Sequence, residues 1–237
     1  MRNLLSAGFS QIVSLFFPKR CVVCGNLLKE WDEGICLHCN LELKRTHYAG
    51  ATEEGSRLER RFWGKFPLGQ VAAFLYYSKY EKSSRLIIHQ LKYSGRRDLG
   101  VTFGRLMATE MRSSGIFEGV DMIVPVPLHP DKLRQRGYNQ SERIACGISQ
   151  VTGIPVDTES LVRRKHTQTQ TKLSFLMRWR NMEDVFRLVC PERFVGKHVL
   201  LVDDVITSTA TLTACGDQFA PVEGIRISIL ALSAVHG

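Results

Sequence analysis

The stretch VLLVDDVITSTAT, residues 199–211, decides the fold. An apolar run, typical of a strand buried on both faces, leads directly into two adjacent carboxylates, Asp203 and Asp204. Small and hydroxyl-bearing residues follow, and a helix is predicted over residues 211–219. In open α/β sheets ligands bind at the carboxyl ends of strands, and the start of the next helix offers free N–H groups to a phosphate. The stretch therefore predicts a ligand site where this strand ends.

The acid pair and the loop after it suit different parts of one ligand. Two carboxylates accept hydrogen bonds from a pair of sugar hydroxyls, and their oxygens also suit Mg²⁺, a hard cation. The alternative is that the acids cap a turn and the hydroxyls only solvate a loop. The order of strand, acid pair, hydroxyl loop and helix favours the ligand site. The loop residues expected to contact phosphate are Thr207, Ser208, Thr209, Ala210 and Thr211.

Strand and helix signals alternate over residues 69–237, which predicts an α/β domain with a parallel sheet and helices on both sides. Residues 1–68 are interpreted as a separate N-terminal unit, in which the polar stretch 49–61 is expected to be a linker. The predicted strands are 71–77, 122–126, 154–157, 199–202 and 225–235, and the other predicted helices are 82–91, 99–113 and 141–151.

The first residues contain an apolar stretch, 4–17, that could be a signal peptide or a helix. Polar residues interrupt it and no small-residue cleavage site follows, so we favour a short amphipathic helix packed on the N-terminal unit over a signal peptide or a membrane-surface segment. Because no run of ~18 apolar residues occurs, no transmembrane helix is expected, and we predict a cytoplasmic protein. The expected apolar face comprises Leu5, Phe9, Ile12 and Phe16.

Four of the seven cysteines form two C-x2-C pairs, Cys21 with Cys24 and Cys36 with Cys39. Each pair turns two sulfurs towards one ion, and two pairs complete a tetrahedral Zn²⁺ shell. The alternative is two redox or disulfide pairs. Because four thiolates leave no open coordination position, the predicted zinc is structural, in a small zinc-ribbon module.

The composition is that of a globular chain, with 237 residues, 44% hydrophobic and 23% charged. Its net charge of +9 fits a polyanionic partner, which leaves nucleic acid, a phosphorylated substrate and a membrane surface open. Basic residues crowd the stretch 161–182, which holds no acid. Others follow predicted strand 122–126 in a loop, where they could receive pyrophosphate or simply be solvated. The candidates for this second group are His129, Lys132, Arg134 and Arg136, with Lys92 and Arg96 as a further cluster.

The chain resembles the ComF family, bacterial phosphoribosyltransferase-like proteins with an N-terminal zinc finger. The resemblance rests on the four cysteines, on residues 199–211, and on LKYSGR at 91–96, VPVPLH at 124–129 and RQRGYNQ at 134–140. It implies a type I phosphoribosyltransferase-like fold that binds phosphoribosyl pyrophosphate (PRPP) with Mg²⁺. Asp203 and Asp204 would contact the ribose, residues 207–211 the 5′-phosphate, and the loop after strand 122–126 the pyrophosphate. A lid is implied by the same resemblance, with Arg164, Lys165, Gln170 and Arg178 as its candidate residues.

One position departs from the family pattern, because Thr209 stands where the family usually has Gly. Gly permits a positive φ and close approach of the backbone to phosphate, whereas β-branched Thr is costly at φ > 0. The departure predicts weaker PRPP binding, a reshaped loop or lost catalysis.

Two functions follow from the resemblance. The first is PRPP binding, with transfer of the phosphoribosyl group to an unknown acceptor left open. The second is a non-enzymatic role in natural competence, with single-stranded DNA or DNA-uptake proteins as partners and the fold as a binding module. Arg60, Arg61, Phe62 and Trp63 either form a stacking patch for bases or pack the linker onto the domain. The oligomeric state is left open.

Overall fold

A computed structural model describes residues 18–46, 53–164 and 185–235. Its strands are β1 (Leu68–Tyr77), β2 (Met122–Pro125), β3 (Leu161–Arg163), β4 (Phe186–Leu188), β5 (His198–Ile206) and β6 (Arg226–Val235). Its α-helices are α1 (Leu37–Leu41), α2 (Glu53–Arg60), α3 (Lys82–Tyr93), α4 (Arg97–Glu110), α5 (Pro130–Arg136), α6 (Gln140–Thr152) and α7 (Ala210–Phe219).

The centre of the molecule is a four-stranded sheet in the order β1-β6-β5-β2, in which every pairing is parallel. Alternate residues of β5 point to opposite faces, and each face has its own core. Leu200 packs with α4 and α6, whereas Leu201 packs with α7. The predicted α/β class, a parallel sheet flanked by helices behind a small cysteine module, is thus confirmed.

Helices α4 and α6 cross so closely that side chains are excluded at the crossing point. A Cβ atom on Gly104 would lie 2.1 Å from the carbonyl oxygen of Ile144, and one on Gly147 would lie 2.2 Å from that of Val101. Because carbonyl groups cannot move aside cheaply, alanine at either position would push the helices apart. The crossing fixes α6, whose first turn reaches the carboxyl end of β5.

The cysteine module packs on α4 rather than standing apart. Its buried residues Cys21, Val22 and Ile35 belong to the same core as Leu99 and Phe103 of α4. Ion pairs join the two units at the rim, between Glu33 and Arg105 and between Arg45 and Glu110. The boundary predicted between residues 68 and 69 stays a prediction, although the two proposed units share a core.

Three sequence-based expectations about local structure are wrong. Residues 53–60 form α2 rather than a linker, because Leu58 and Phe62, one turn apart, are buried and give the polar stretch an apolar side. The loop expected after β2 holds α5, which starts at Pro130 and ends at Gly137, where φ is +78°. The strand expected at 154–157 is a single bridge between Val156 and Ile123.

Antiparallel strands β3 and β4 lie on either side of the undescribed segment 165–184, and the Arg164 N–H donates to the carbonyl of Val185 at 2.9 Å. Three of the predicted lid residues, Lys165, Gln170 and Arg178, lie outside the described residues, as does the amphipathic helix predicted near the N-terminus. Over residues 18–46, 53–164 and 185–235, none of the helices has the length and apolar character needed to cross a bilayer.

Candidate ligand site at the carboxyl edge of the sheet

The acid pair lies within β5 rather than after it. Asp203 is in register with Ala231 of β6, and the strand continues to Ile206. Asp203 Oδ1 accepts hydrogen bonds from Ser141 Oγ at 3.0 Å and from the Asp204 N–H at 2.8 Å. The buried core of the sheet and the first turn of α6 therefore fix the position of this carboxylate.

Asp204 is 4% exposed, and its Oδ2 lies 3.0 Å from the ammonium of Lys92 on α3. Among the described residues this ion pair is the contact that the structure gives Oδ2. A carboxylate oxygen has more than one lone pair, so a ligand hydroxyl can join or replace the ammonium there. The edge of the sheet thus presents an acceptor suited to a ligand hydroxyl or a cation.

Burial raises the pKa of Asp203 to about 7, and the neighbouring Asp204 carboxylate adds to the effect. Hydrogen bonds from the Asp204 N–H and Ser141, and the charge of Lys92, act in the opposite direction without cancelling it. Two adjacent carboxylates with one nearby cation carry excess negative charge in a poorly solvated place. Hydroxyl donors or a cation would relieve it.

The loop after β5 adopts a conformation that threonine tolerates. Thr209 has φ −78° and ψ −10°, in the right-handed helical region, and it is the N-cap residue of α7. The strain expected from Thr at a positive φ therefore does not arise. The difference from the family's Gly is therefore only that the Thr209 side chain adds bulk beside the backbone.

Two cations reach the loop from the segment after α2. Lys65 Nζ donates to Thr209 Oγ1 at 2.9 Å and to Thr213 Oγ1 at 3.3 Å, while Arg61 Nη2 donates to the carbonyl of Thr207 at 3.0 Å. Sequence analysis missed both as site residues, because about 140 residues of chain separate them from the loop. The adjacent Phe62 is buried and packs this segment onto the domain, whereas Trp63 is 60% exposed with the Arg60 guanidinium 5.8 Å from its ring centre. Packing is thus confirmed for Phe62, and a stacking patch stays a prediction for Arg60 and Trp63. Two positive charges therefore lie beside this hydroxyl-rich loop.

Of the six basic residues predicted to contact pyrophosphate, Lys92 is the one for which the structure gives a contact with the acid pair. Local partners engage three of the others. Arg96 pairs with Asp98 at 2.8 Å. Asp131 donates its N–H to His129 Nδ1 at 3.2 Å, and its carboxylate pairs with Arg134.

The remaining two, Lys132 and Arg136, lie on α5. Lys132 is exposed. Arg136 donates to Gln140 Oε1, and its guanidinium lies 5.7 Å from the ring centre of Tyr93 at the end of α3. The helix α5 therefore brings a cation beside α3, rather than forming the open basic loop that was expected.

The four cysteines converge on one point. Their sulfur atoms all lie within 4.8 Å of one another, and the Cys24 and Cys36 sulfurs are 3.8 Å apart. Zinc–sulfur bonds of ≈ 2.3 Å in a tetrahedron place sulfurs at about this separation, so the donor set fits Zn²⁺. Burial alone would raise the pKa of Cys21, but N–H groups, including that of Cys36 at 3.4 Å, lower it to about 7. The cluster can hold a metal such as zinc.

The fold and these residues define an α/β protein with an acidic candidate site at a sheet edge and a four-cysteine cluster that can hold a metal. The chain is 31% identical to the DNA utilization protein YhgH of Escherichia coli O157:H7, over 81% of this chain and 80% of the relative. It is 29% identical to Competence protein F of Haemophilus influenzae, over 83% of this chain and 89% of the relative. The chain belongs to the family of these proteins, the ComF family, as its sequence motifs predict.

Comparisons with protein-family models and with solved structures do not assign a ligand to this chain. No protein-family model matches the chain. A solved structure of the glutamine PRPP amidotransferase of B. subtilis, in complex with ADP and GMP, covers 60% of this chain and 30% of its own at 21% identity and a TM-score of 0.39. At that TM-score the likeness carries no weight in assigning a ligand to this chain.

Proposed function

We propose that the carboxyl edge of the sheet binds PRPP or another phosphorylated ribose. The observation that carries the proposal is the buried Asp204, ion-paired with Lys92 at 3.0 Å, next to a hydroxyl loop that two further cations approach. An acceptor pair beside a cationic, hydroxyl-lined turn matches the two halves of a sugar phosphate. A simple anion site would not place two carboxylates there.

In this arrangement the acid pair accepts hydrogen bonds from two ribose hydroxyls. The 5′-phosphate lies against residues 207–211, at the first N–H groups of α7, where the helix dipole and Lys65 favour negative charge. Lys92 is freed from Asp204 when the ribose takes over that oxygen. Its ammonium then lies beside the site, where it can contact the pyrophosphate end.

If the protein is an enzyme, its residues act by position and charge. Mg²⁺ bound with the pyrophosphate would neutralise the leaving group, with Asp203 and Asp204 as its candidate protein ligands. A nucleophile forms a bond to the anomeric carbon of the ribose while the carbon–oxygen bond to pyrophosphate breaks, and the electron pair leaves with pyrophosphate. Fixed cations such as Lys92 stabilise the charge that develops there.

Calorimetric titration of the zinc-loaded chain tests this proposal. We expect saturable binding of one PRPP per chain, strengthened by Mg²⁺. Ribose 5-phosphate should compete through the acid pair and the loop, and pyrophosphate alone should compete more weakly. Competition by pyrophosphate but not by ribose 5-phosphate would contradict the assignment of the ribose to Asp203 and Asp204.

For the cysteine module, we propose one structural zinc ion held by Cys21, Cys24, Cys36 and Cys39. The separations of the four sulfur atoms support this, since zinc binds four thiolates in a tetrahedron. The site would have no open position for catalysis. Its role would be to hold residues 18–46 against α4.

A second candidate function is the handling of single-stranded DNA in the cytoplasm. The relatives are named for DNA utilization and for competence, and the net charge of +9 suits a polyanion. This function does not require turnover at the acid pair. The two functions are compatible if a phosphorylated ribose acts as an effector of DNA binding.

A further inference from the structure

Helix α3 carries a row of cations and rings along one exposed side. Lys82, Arg85, His89 and Lys92 recur at spacings of three or four residues, so they lie on one face of the helix. Together with Tyr93 they line a groove of about 740 Å³ whose lining includes no acid. From Lys82 to Lys92 the helix rises ~15 Å, about the length of four stacked nucleotides.

Exposed aromatic rings stand at both ends of this row of cations. Tyr93 is 71% exposed and Tyr80, just before the helix, is 84% exposed. Cations hold both rings: Arg136 lies 5.7 Å from the Tyr93 ring centre, and Lys79 lies 4.9 Å from that of Tyr80. Exposed rings beside fixed cations are the two elements that bind single strands, because bases stack on the rings while phosphates meet the cations.

The start of α3 gives a further reason to expect an anionic occupant. Lys82 is the first residue of the helix and Arg85 follows one turn on. The N-cap residue Glu81 is an acid at this end, and Lys44 pairs with it at 3.1 Å. Cations at this end oppose the helix dipole, which favours anions there by a few tenths of a kcal/mol or more. Arg85 is also held in place, because its Nη1 donates to the carbonyl of Lys79 at 2.8 Å. A phosphate in the groove would offset this local repulsion.

We propose that the groove along α3 binds single-stranded nucleic acid, with phosphates on Lys82 and Arg85 and a base on Tyr93. The inference rests on the second function proposed above and gives it a location on α3. Duplex DNA hides its base faces in the stack, so it cannot use Tyr93. At its far end the groove meets the acid pair through Lys92, which a bound strand and a phosphorylated ribose would share.

The test is fluorescence anisotropy of the full, zinc-loaded chain with a labelled oligothymidylate of about 20 nucleotides, from about 50 mM to about 200 mM salt. The groove variant is Lys82→Glu with Arg85→Glu, which places acids where the helix dipole favours them, so the helix should survive. The control is Arg112→Glu with Arg187→Glu, which removes two exposed cations elsewhere and changes the net charge equally. We expect the groove variant to bind at least about 10-fold more weakly, with a salt slope smaller by about 1.4.

Tyr93→Ala should weaken binding by roughly 5-fold to 100-fold without changing the salt slope, and Tyr93→Phe should restore it. Equal loss in the groove variant and the control would overturn the location while leaving the DNA-handling function in place. Absence of binding by the unmodified chain at low salt would overturn both. Duplex DNA or anionic vesicles that compete as well as the single strand would overturn the choice of ligand.

Discussion

The cysteine module and the carboxyl edge of the sheet hold their candidate ligands in opposite ways. In the module, residues 18–46, a few apolar side chains such as Val22 and Ile35 pack against α4. The four cysteine sulfur atoms lie close together. At the sheet edge, Asp203 and Asp204 extend a strand whose preceding residues, including Leu200 and Leu201, are 0% exposed. A bound metal would hold the cysteine module in its folded shape, whereas the buried sheet holds Asp203 and Asp204 in place without a ligand.

The difference matters for what each ligand contributes. A segment of this size cannot bury enough surface to fold by itself, so metal binding there is also folding energy. The sheet edge is built before any ligand arrives, so a ligand there gains from side chains already in position. Loss of a cysteine should therefore change structure, and loss of an aspartate should change binding.

The largest effect is expected for Cys39→Ser, because Cys39 is buried and its sulfur belongs to the cluster. The variant should lose its zinc and several kcal/mol of module stability, while the sheet stays folded. Elemental analysis gives the zinc content and circular dichroism the remaining structure. Cys146→Ser, on α6 and outside the cluster, should keep the full metal content. A Cys39→Ser protein with undiminished zinc would refute the site.

Next in size is Asp204→Asn, which keeps the shape of the side chain but removes its charge. Charge-assisted hydrogen bonds contribute about 1.5–3 kcal/mol, so PRPP affinity should fall about 10-fold to 100-fold with no loss of the fold. Calorimetry measures the affinity. Asp121→Asn makes the same change at the opposite end of the sheet, where Asp121 accepts from the His198 N–H, and should bind PRPP normally. Equal effects of the two variants would contradict a local role for Asp204.

The pH dependence of stability separates the acid pair from ordinary surface carboxylates. Because the pKa of Asp203 is about 7 in the folded chain and 3.8 in the reference state, the folded protein binds this proton more tightly between these values. Stability from this group is therefore present below about pH 4 and is lost as pH rises to about 7.

Asp203→Asn should remove that loss, making the variant more stable than the unmodified chain at about pH 8 by on the order of 1–3 kcal/mol. The two should differ less at about pH 5. Urea denaturation of both proteins at the two pH values measures the difference, and titration of the cysteine module cancels in the comparison. A difference that is the same at both pH values would show that Asp203 does not titrate in this window.

A smaller effect is expected for Lys65→Met, which removes the cation hydrogen-bonded to Thr209 and Thr213. PRPP affinity should fall about 3-fold to 10-fold, because a partly exposed charge contributes modestly. The salt dependence of binding should weaken in parallel. Lys29→Met, in the cysteine module, is the matched control. An unchanged affinity would mean that Lys65 only supports the loop.

The smallest effect is expected for Thr209→Gly. With φ at −78° there is no backbone strain for glycine to relieve, and the variant loses the hydroxyl that accepts from Lys65. PRPP affinity should stay equal or fall by roughly 2-fold, a change near the few tenths of a kcal/mol that separate cap residues. Tighter binding by the variant would show that the threonine side chain blocks the approach of the phosphate.

Sequence patterns predicted the parts of the molecule in which neighbours along the chain make the structure. The run before Asp203 predicted a buried strand, and the spacing of Cys21, Cys24, Cys36 and Cys39 predicted their convergence. The patterns missed what depends on distant contacts. Lys65 reaches the loop across 144 residues, and the polar stretch 49–61 contains a helix because Leu58 packs on the sheet. Nothing in the local sequence encodes either contact.

Predictions made from residue type alone were also wrong where the backbone conformation depends on the surrounding residues. Thr209 departs from the family's glycine, which suggested backbone strain, yet the loop starts α7 in a right-handed conformation. The basic residues after β2 suggested an open phosphate loop, yet Pro130 and Gly137 delimit a helix in which Arg134 pairs with Asp131. In both cases the residue types suggested a backbone geometry that the structure does not have.

Hydrogen exchange measured by mass spectrometry, with PRPP or a zinc chelator added to the same protein, tests the contrast between the two regions most directly. The account predicts that PRPP with Mg²⁺ slows exchange at residues 203–211 and leaves residues 18–46 unchanged. It also predicts that chelation speeds exchange at residues 18–46 and leaves β5 protected, because β5 is held by the buried sheet. Unchanged exchange at residues 203–211 at saturating PRPP, or loss of β5 protection on chelation, would contradict it.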